Sequence, residues 1–389
     1  MISVADAFSI LNKTTFSLQE VEVSLRDAHS FILAETLISP ISMPPFRQAN
    51  MDGFALSLHD QLTYEVVGEI KAGDYFDGQL QPGQAMKIFT GAAVPDSAQA
   101  VIQIEKVTVN NQQLQVKEKV KPETNVRPLG SQIEKGTVAL DKGSLLNPAA
   151  IGFLAGLGFT SVKVYVKPKV GIVITGNELV QAGQPLPNGK VYESNDIMLQ
   201  LALQSAHYHH LKSYQVEDTF EETKSVLQQA IEENDVILVS GGISVGDYDF
   251  VGKALQSLTV ETLFYKVNQK PGKPLFCGKL KDKMIFALPG NPAASLTCLY
   301  VYVLPTLHRI SGKKTSYSLS ISKPLSHDYE VNNSRGQFLK AIISNDEVTI
   351  LPHQDSSMLD SYALANALVF VDEGRYLLAK GVKVPVYLL

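Results

Sequence analysis

Buried strands and amphipathic helices are predicted to alternate through the middle of the chain. Residues 170–174 and 236–239 are continuous apolar runs, the pattern of strands that are buried on both faces. Apolar positions recur at helical spacing over residues 197–202 and 226–231. This alternation predicts a doubly wound α/β domain with a mostly parallel sheet, covering residues 168–311.

Other patterns flank this domain. Helical spacing near residues 4–11 and 26–37, together with short alternating runs, predicts that residues 1–167 form a helical frame with a β insertion at about 45–140. Residues 312–389 alternate apolar and polar positions, which indicates a small β-barrel or sandwich, and we expect the barrel. The predicted fold class is therefore a multidomain α/β protein.

A glycine-rich loop and two carboxylates follow the strand at 236–239. Adjacent glycines let backbone N–H groups turn toward an anion, because no Cβ blocks the approach or forbids a positive φ. Open α/β sheets bind ligands at the carboxyl ends of their strands, where this loop is expected. The residues concerned are Ser240, Gly241, Gly242, Ser244 and Gly246 in the loop, followed by Asp247 and Asp249.

A second loop carries positive charge. Lys270 and Lys273, with Gly272 between them, follow a strand-like run and lie on a segment that two prolines stiffen. Lysine ammonium groups donate strong hydrogen bonds to oxyanions. This loop is therefore a second candidate for anion binding.

A third loop leads into a helix. Pro289, Asn291 and Pro292 follow another apolar run; Asn291 is a favourable N-cap, and Pro292 suits the first helical position. A helix start behind a glycine turn is a further candidate anion site. The helix is predicted to run through Leu304 and to end at Pro305.

Composition limits the classes of partner. The chain has 389 residues and a net charge of −5 without a large basic block, which argues against nucleic acid. Cys277 and Cys298 lack metal-ligand spacing and are expected to be buried thiols. For His207, His209 and His210 a polar edge is favoured over a metal site, because no partner ligand has a recognised spacing. Without a signal peptide or an apolar run of about 18 residues, we expect a cytoplasmic protein with no membrane partner.

Six short motifs occur in order along the chain: Asn50-Met-Asp-Gly-Phe54, Phe89-Thr-Gly-Ala92, Thr175-Gly-Asn-Glu-Leu179, Ser240-Gly-Gly-Ile-Ser-Val-Gly246, Lys270-Pro-Gly-Lys-Pro274 and Leu288-Pro-Gly-Asn-Pro292. With them the chain resembles MoeA-type molybdopterin molybdotransferases, the bacterial counterpart of the gephyrin E domain. The α/β segment alone also resembles molybdopterin adenylyltransferases and a domain of nicotinamide-nucleotide amidases. The first motif and the C-terminal β region favour the molybdotransferase.

The resemblance implies an elongated homodimer with an active site between the α/β domain of one subunit and the β insertion of the other. It implies insertion of molybdate into adenylylated molybdopterin with release of AMP, assisted by Mg²⁺ or a similar divalent cation. The molybdopterin adenylyltransferase is an expected partner. By the family pattern, the catalytic candidates are Asp52, Thr90, Glu178 and Asp249, the metal candidates are Asp52, Glu178, Asp247 and Asp249, and Arg335 and Ser356 are ligand-contact positions.

Most of these candidates also have a purely structural interpretation. Short polar residues commonly make turns and helix caps, and acids are favoured early in helices. The structural roles are a turn for Asp52, an early helix position for Glu178, a helix cap for Asp247 or Asp249 and for Asp218, a strand-end hydroxyl for Thr90, and loop shaping for Pro289 and Pro292.

Two positions depart from the family pattern. Gln132 stands where an acid is expected after Arg127 and Gly130, and Asn177 replaces the common aspartate before Glu178. A glutamine contributes no negative charge. These departures motivate one alternative, a molybdopterin- or nucleotide-binding scaffold without turnover. The shared α/β domain motivates another, an adenylyltransferase-like enzyme.

Overall fold

The computed structural model describes residues 1–243, 250–315, 317 and 320–389. The chain forms two compact units. The larger consists of Met1–Val21, Ser30–Ile32 and Val164–Leu389, and the smaller consists of Glu22–His29 and Leu33–Lys163. The predicted site residues Ser244, Gly246, Asp247 and Asp249 lie outside the described residues.

A six-stranded sheet is the main element of the smaller unit. Its apolar residues, such as Ala55 and Ile88, are fully buried, and the alternating runs of the sequence do form strands here. The helix Pro148–Gly156 follows Asn147, whose side chain caps it. In spatial order the strands are Ala100–Gln103, Gly53–Leu56, Gln84–Ile88, Thr63–Ile70, Gln113–Val116 and Val107–Asn110.

The N-terminal region contains less helix than the spacing of its apolar residues predicted. The prediction of a helix at residues 26–37 is wrong. Ser30 has a φ of 65°, which a right-handed helix does not contain. The N–H of Leu33 donates to the carbonyl of Ser144 at 2.9 Å, so this apolar segment is extended. The predicted helical frame is therefore corrected to a mostly β region. Within residues 1–167, all of them described, the α-helices are Val4–Lys13 and Pro148–Gly156.

A six-stranded mixed sheet forms the centre of the larger unit. Four neighbouring strands are parallel and two at one edge are antiparallel, which confirms the predicted mostly parallel sheet. Ile172 and Phe286 pack in the apolar cluster on one face, and Val173 and Ile285 pack in the cluster on the other. In spatial order the strands are Leu211–Val216, Val170–Thr175, Val236–Ser240, Lys283–Leu288, Phe276–Leu280 and Glu261–Tyr265. The α-helices described in this unit are Val4–Lys13, Asn195–Ser205, Phe220–Glu233, Phe250–Ser257, Pro292–Cys298, Leu304–Ile310 and Asp360–Leu364.

The last helix of the α/β region continues past the position where it was expected to end. Pro292–Cys298 and Leu304–Ile310 are α-helical, and the five residues between them form a π-helical segment. There the N–H of Leu304 donates to the carbonyl of Leu299. This wider turn accommodates Pro305, which has no N–H to donate, so the prediction that the helix stops there is wrong.

The C-terminal residues form antiparallel strands, as their alternation predicted. Gly336–Ser344 pairs with Glu347–Ile350 through a turn in which Asn345 and Asp346 have φ values of 50° and 70°. Gly336–Ser344 also pairs in parallel with Gln269–Lys270, the first strand of its sheet. The remaining C-terminal strands are Ile321–Pro324, Tyr329–Asn333, Ala367–Val371, Gly374–Leu378 and Lys383–Leu388.

One 3₁₀ helix, Ile104–Lys106, and several shorter strands complete the described secondary structure. The strands are Glu20–Ser24, Leu37–Ile38, Gln48–Ala49, Val126–Arg127, Val138–Leu140, Ser161–Tyr165, Leu179–Val180 and Val191–Tyr192. In the part of the chain that the structure describes, no helix has both the length and the apolar character needed to cross a membrane.

Candidate functional site

A cavity of about 760 Å³ opens at the carboxyl ends of the parallel strands in the larger unit. Its wall includes the residues that follow Thr175, Ser240 and Leu288, which are the last residues of three of these strands. The strand order reverses between the first two of these strands, and open α/β sheets bind ligands at such a point. The predicted site residues on this wall are Glu178, Ser240, Gly241, Gly242, Lys270, Gly272, Lys273, Pro289, Asn291, Pro292, Arg335 and Ser356.

The glycine loop passes close to the end of the neighbouring strand. Gly241 and Gly242 have φ values of 92° and 62°, in the left-handed region that favours glycine. A Cβ added to Gly241 would lie 2.7 Å from the backbone oxygen of Thr175, which is closer than side-chain atoms approach. Both the backbone conformation and the packing therefore require glycine at the start of this loop.

A buried glutamine shapes the lysine loop from inside. Gln269 is fully buried, and its Nε2 donates to the carbonyls of Pro271 and Gly272 at 3.1 and 3.3 Å. Its Oε1 accepts a hydrogen bond from the hydroxyl of Tyr302. A Cβ added to Gly272 would lie 2.6 Å from the sulfur of Cys298, so the loop packs closely against this core.

Three cationic side chains, Lys270, Lys273 and Arg335, line the cavity. The parallel pairing of Gln269 with Gly336 brings the backbone that carries them together. Among the residues that the structure describes, no salt bridge involves any of the three. Because no described carboxylate forms an ion pair with these cations, this wall is electrostatically suited to an anion.

Ser356 reaches the cavity on a loop that a buried lysine holds. Lys340 is only 3% exposed, and its Nζ donates to the carbonyls of His353 and Met358 at 2.6 and 2.9 Å. Burial lowers the pKa of Lys340. Asn291 Nδ2 donates to Ser356 Oγ at 2.8 Å, so the asparagine predicted as a helix cap holds this loop instead of making a side-chain cap.

Two carboxylates on the wall come from other loops, and their simplest structural interpretations are wrong. Glu178 lies in a turn before a short strand and is not at the start of a helix. Asp218 does not cap the next helix, because Thr219 does. The N–H of Asp218 donates to Asn177 Oδ1 at 3.1 Å, and the N–H of Asn177 donates to Asp218 at 3.3 Å. Asparagine supplies the same side-chain acceptor that aspartate would, so the Asn177 departure preserves this contact.

Asp52 and Thr90 lie in the smaller unit, where the structure brings them together. The hydroxyl and N–H of Thr90 donate to Asp52 Oδ1 at 2.6 and 2.7 Å. These two hydrogen bonds lower the pKa of Asp52 below its ordinary value, so this exposed carboxylate stays charged. Gln132, in the same unit, is also exposed.

The structure adds Thr175 and Asn195 to the cavity wall, which sequence reasoning missed as site residues. Asn195 Nδ2 donates to Ser240 Oγ and to the carbonyl of Gly290, both at 2.8 Å, and so connects two of the loops. No local pattern marks this contact, because its partners lie 45 and 95 residues away in the sequence.

Few of the described side chains at this cavity are suited to bind a metal ion. No group of three or more His, Cys, Asp or Glu that could hold a metal occurs in the described residues. Mg²⁺, however, takes one or two carboxylates together with water and substrate phosphates, and Glu178 and Asp218 fit that requirement. Cys277 and Cys298 are buried as predicted, and burial raises the pKa of both thiols.

The fold and this cavity define an α/β protein with a cavity lined by cationic side chains at the carboxyl end of a parallel sheet. Three family models match successive segments: the MoeA N-terminal region (domain I and II) over residues 2–158, the probable molybdopterin binding domain over 171–309, and the MoeA C-terminal region (domain IV) over 323–389. The chain therefore belongs to the MoeA family of molybdopterin molybdenumtransferases, as its motifs indicated.

Individual relatives agree with this assignment. A molybdopterin molybdenumtransferase from Haemophilus influenzae is 36% identical over 309 residues, which cover 78% of this chain and 76% of that protein. A second one, from Staphylococcus epidermidis, is 30% identical over 386 residues, which cover 96% of this chain and 92% of that protein. The crystal structure of a molybdopterin biosynthesis MoeA protein from Pyrococcus horikoshii has a TM-score of 0.84 and 28% identity, and the match covers both chains completely.

Proposed function

We propose that this protein inserts molybdate into adenylylated molybdopterin and releases AMP, in the last step of molybdenum cofactor biosynthesis. The observation that carries the proposal is the cavity wall with Lys270, Lys273 and Arg335, none of which is in a salt bridge within the described residues. Both substrates carry oxyanions, and such a wall binds oxyanions. Membership of the MoeA family supports the choice of molybdopterin as the other component.

The proposed roles follow from the chemistry of each loop. Lys270, Lys273 and Arg335 bind and orient the oxyanions, and the Ser356 hydroxyl adds a hydrogen-bonding group beside them. The glycine loop leaves its backbone open to close approach by a phosphate. When bound, Mg²⁺ would neutralise charge that develops as the phosphoanhydride bond breaks, with Glu178 as its protein ligand.

The resemblance supports further parts of the proposal. We propose that the chain acts as a homodimer in the cytoplasm, and that a molybdopterin adenylyltransferase supplies its substrate. Asp52 and Thr90 are proposed to act on the same substrate from a second copy of the chain. The hydrogen bonds that keep the exposed Asp52 charged suit a carboxylate that binds a cation or a donor.

The test is AMP release by the purified protein with adenylylated molybdopterin and Mg²⁺, with and without molybdate. We expect release that depends on molybdate and falls by about 10- to 100-fold in Lys273→Met, the loss of one hydrogen bond to a charged group. Lys380→Met, which removes an exposed lysine outside the cavity wall, is the matched control and should keep the wild-type rate.

Other outcomes would replace the proposal. Tight binding of adenylylated molybdopterin without AMP release, with either molybdate or tungstate, would indicate a scaffold. Transfer of AMP from ATP to molybdopterin by this protein alone would indicate an adenylyltransferase. Equal rates in the Lys273→Met and wild-type proteins would show that the cationic wall does not bind the oxyanion.

A further inference from the structure

Asp52 and Thr90 meet because two antiparallel strands of the smaller unit are in register. Gly53 is aligned with Ile88, so Asp52, which precedes the first strand, and Thr90, which follows the second, lie at the same edge of the sheet. There the hydroxyl and N–H of Thr90 donate to Asp52 Oδ1. The placement of Thr90 therefore decides how the carboxylate is held.

Thr90 is the second residue of a tight turn. The N–H of Ala92 donates to the carbonyl of Phe89 at 3.0 Å, which closes four residues into a β-turn. Gly91 has a φ of 87°, the positive value that a type II turn needs at its third position. Because a single hydrogen bond closes the turn, contacts from outside it decide how firmly Thr90 is placed.

The strand Gln48–Ala49 holds this turn from outside. The N–H of Gly91 donates to the carbonyl of Ala49 at 2.9 Å, and the carbonyl of Gly91 accepts from Gln48 Nε2 at 3.1 Å. The N–H of Ala49 donates to the carbonyl of Ala92 at 3.0 Å. Of these three hydrogen bonds, the one from Gln48 is made by a side chain, so a substitution can remove it and leave the backbone contacts in place.

The amide of the half-buried Gln48 is oriented by both of its partners. Arg127 Nη1 donates to Gln48 Oε1 at 3.2 Å, and a guanidinium can only donate. The Gly91 carbonyl can only accept, so the NH₂ group faces it. Gln48 and Arg127 are also aligned on paired antiparallel strands, which keeps the guanidinium within reach. The side chain is therefore held in the orientation that binds Gly91.

We propose that Gln48 is a positioning residue for the reaction, which holds the turn at Thr90 and thereby the geometry of Asp52; this inference rests on the proposed function. The hydrogen bonds of the Gln48 side chain go to Gly91 and Arg127, so it acts on Asp52 through the turn. A misplaced carboxylate costs rate even when the substrate still binds. Loss of Gln48 is therefore expected to lower kcat and to leave KM close to its wild-type value.

Two variants of Gln48 separate its two contacts. Gln48→Met keeps the length of the side chain and makes neither hydrogen bond. Gln48→Glu can still accept from Arg127, but a carboxylate has no N–H for the Gly91 carbonyl. Since the contact with Gly91 holds the turn, both variants should show the same two effects. Amide hydrogen exchange at Thr90 and Gly91, followed by NMR, should be about 10-fold faster, the loss of one hydrogen bond. The kcat of molybdate-dependent AMP release should fall by about 10-fold.

Gln99→Met is the matched control. Gln99 also connects two backbone groups of the smaller unit: its Oε1 accepts from the N–H of Leu58 at 2.7 Å, and its Nε2 donates to the carbonyl of Ser97 at 3.0 Å. Leu58 follows the strand Gly53–Leu56, at the opposite end from Asp52. Gln99→Met should therefore leave exchange at the turn and kcat unchanged, and circular dichroism checks that all three variants are folded.

The outcomes are separable. Wild-type amide exchange at Thr90 and Gly91 in Gln48→Met overturns the inference, and so does a wild-type kcat in that variant, because Gln48 would then be purely structural. Recovery of both quantities in Gln48→Glu overturns it as well and assigns the effect to Arg127. If the wild-type protein releases no AMP, the proposed function fails, and the exchange rates alone decide whether Gln48 holds the turn.

Discussion

Gln269 offers the sharpest test of how the cationic wall is built. Its side chain is fully buried and has four partners: it donates to the carbonyls of Pro271 and Gly272 and to the sulfur of Cys298, and it accepts from the hydroxyl of Tyr302. Gln269→Met keeps a side chain of similar length but removes all four hydrogen bonds. We expect the loop that carries Lys270 and Lys273 to lose its fixed shape.

The magnitude follows from the groups left unpaired. Each buried polar group without a partner costs about 1–3 kcal/mol, and Gln269→Met leaves two carbonyls and one hydroxyl in that state. Since the loop carbonyls regain some water when the loop loosens, we expect the free energy of unfolding to fall by about 3–5 kcal/mol. Urea unfolding followed by circular dichroism measures it. Molybdate affinity, measured by calorimetry, should fall by about 10-fold because the cations are no longer held in position.

Tyr302→Phe separates loop shape from general stability. It removes only the hydroxyl at the far side of Gln269, so both hydrogen bonds to the loop remain. We expect a loss of about 1–2 kcal/mol in the free energy of unfolding and a molybdate affinity close to wild type. Equal molybdate affinities in Gln269→Met and wild type would refute the reasoning, as would equal losses of affinity in the two variants.

Three further outcomes concern other residues. In the folded protein, burial is the main cause that lowers the pKa of His308 from 6.5 to about 4. The stability that the neutral imidazole contributes is therefore fully present above pH 6.5 and is lost as the pH falls toward 4. In urea titrations between these pH values, the free energy of unfolding of His308→Gln should fall by roughly 3 kcal/mol less than that of the wild type, and an unchanged dependence on pH would contradict the assignment. In Thr90→Val the pKa of Asp52 should rise toward its ordinary value in a carbonyl NMR titration, since the hydroxyl donor is gone; an unmoved pKa would remove Thr90 as the cause. Lys340→Met should lower the free energy of unfolding by about 3 kcal/mol and speed hydrogen exchange around Ser356, and unaltered exchange there would show that Lys340 does not hold the loop.

Much of the α/β region could be predicted because its signals are local. The buried strands Val170–Thr175 and Val236–Ser240 are continuous apolar runs, and glycine or proline follows each of them in the sequence. The prediction for residues 26–37 was wrong because the spacing of their apolar residues fits an extended segment as well as a helix. Hydrogen bonds to residues distant in the sequence favour the extended segment. Pro305 misled because the rule for proline assumes regular α-helical hydrogen bonds, which the π-helical segment relaxes.

The cavity was predictable in part for a related reason. Loops at the carboxyl ends of parallel strands meet at one edge, and the loops that carry Gly241, Lys273 and Asn291 were each predicted as a candidate anion site. The residues that hold those loops were not. Gln269 and Lys340 act through buried hydrogen bonds to backbone groups, and a sequence pattern carries no information about which carbonyl a side chain will reach.

The pairing of Gln269–Lys270 with Gly336–Ser344 bears on whether this chain can be dissected. Removing residues 320–389 would take away Arg335 and Ser356 and also the strand that holds the backbone of Lys270. The α/β sheet would keep its own hydrogen bonds, but the wall that we propose binds anions would lose two of its contributors and the support of a third. The C-terminal strands are therefore not a detachable accessory: a truncated chain would retain a cavity without the chemistry that makes it a site.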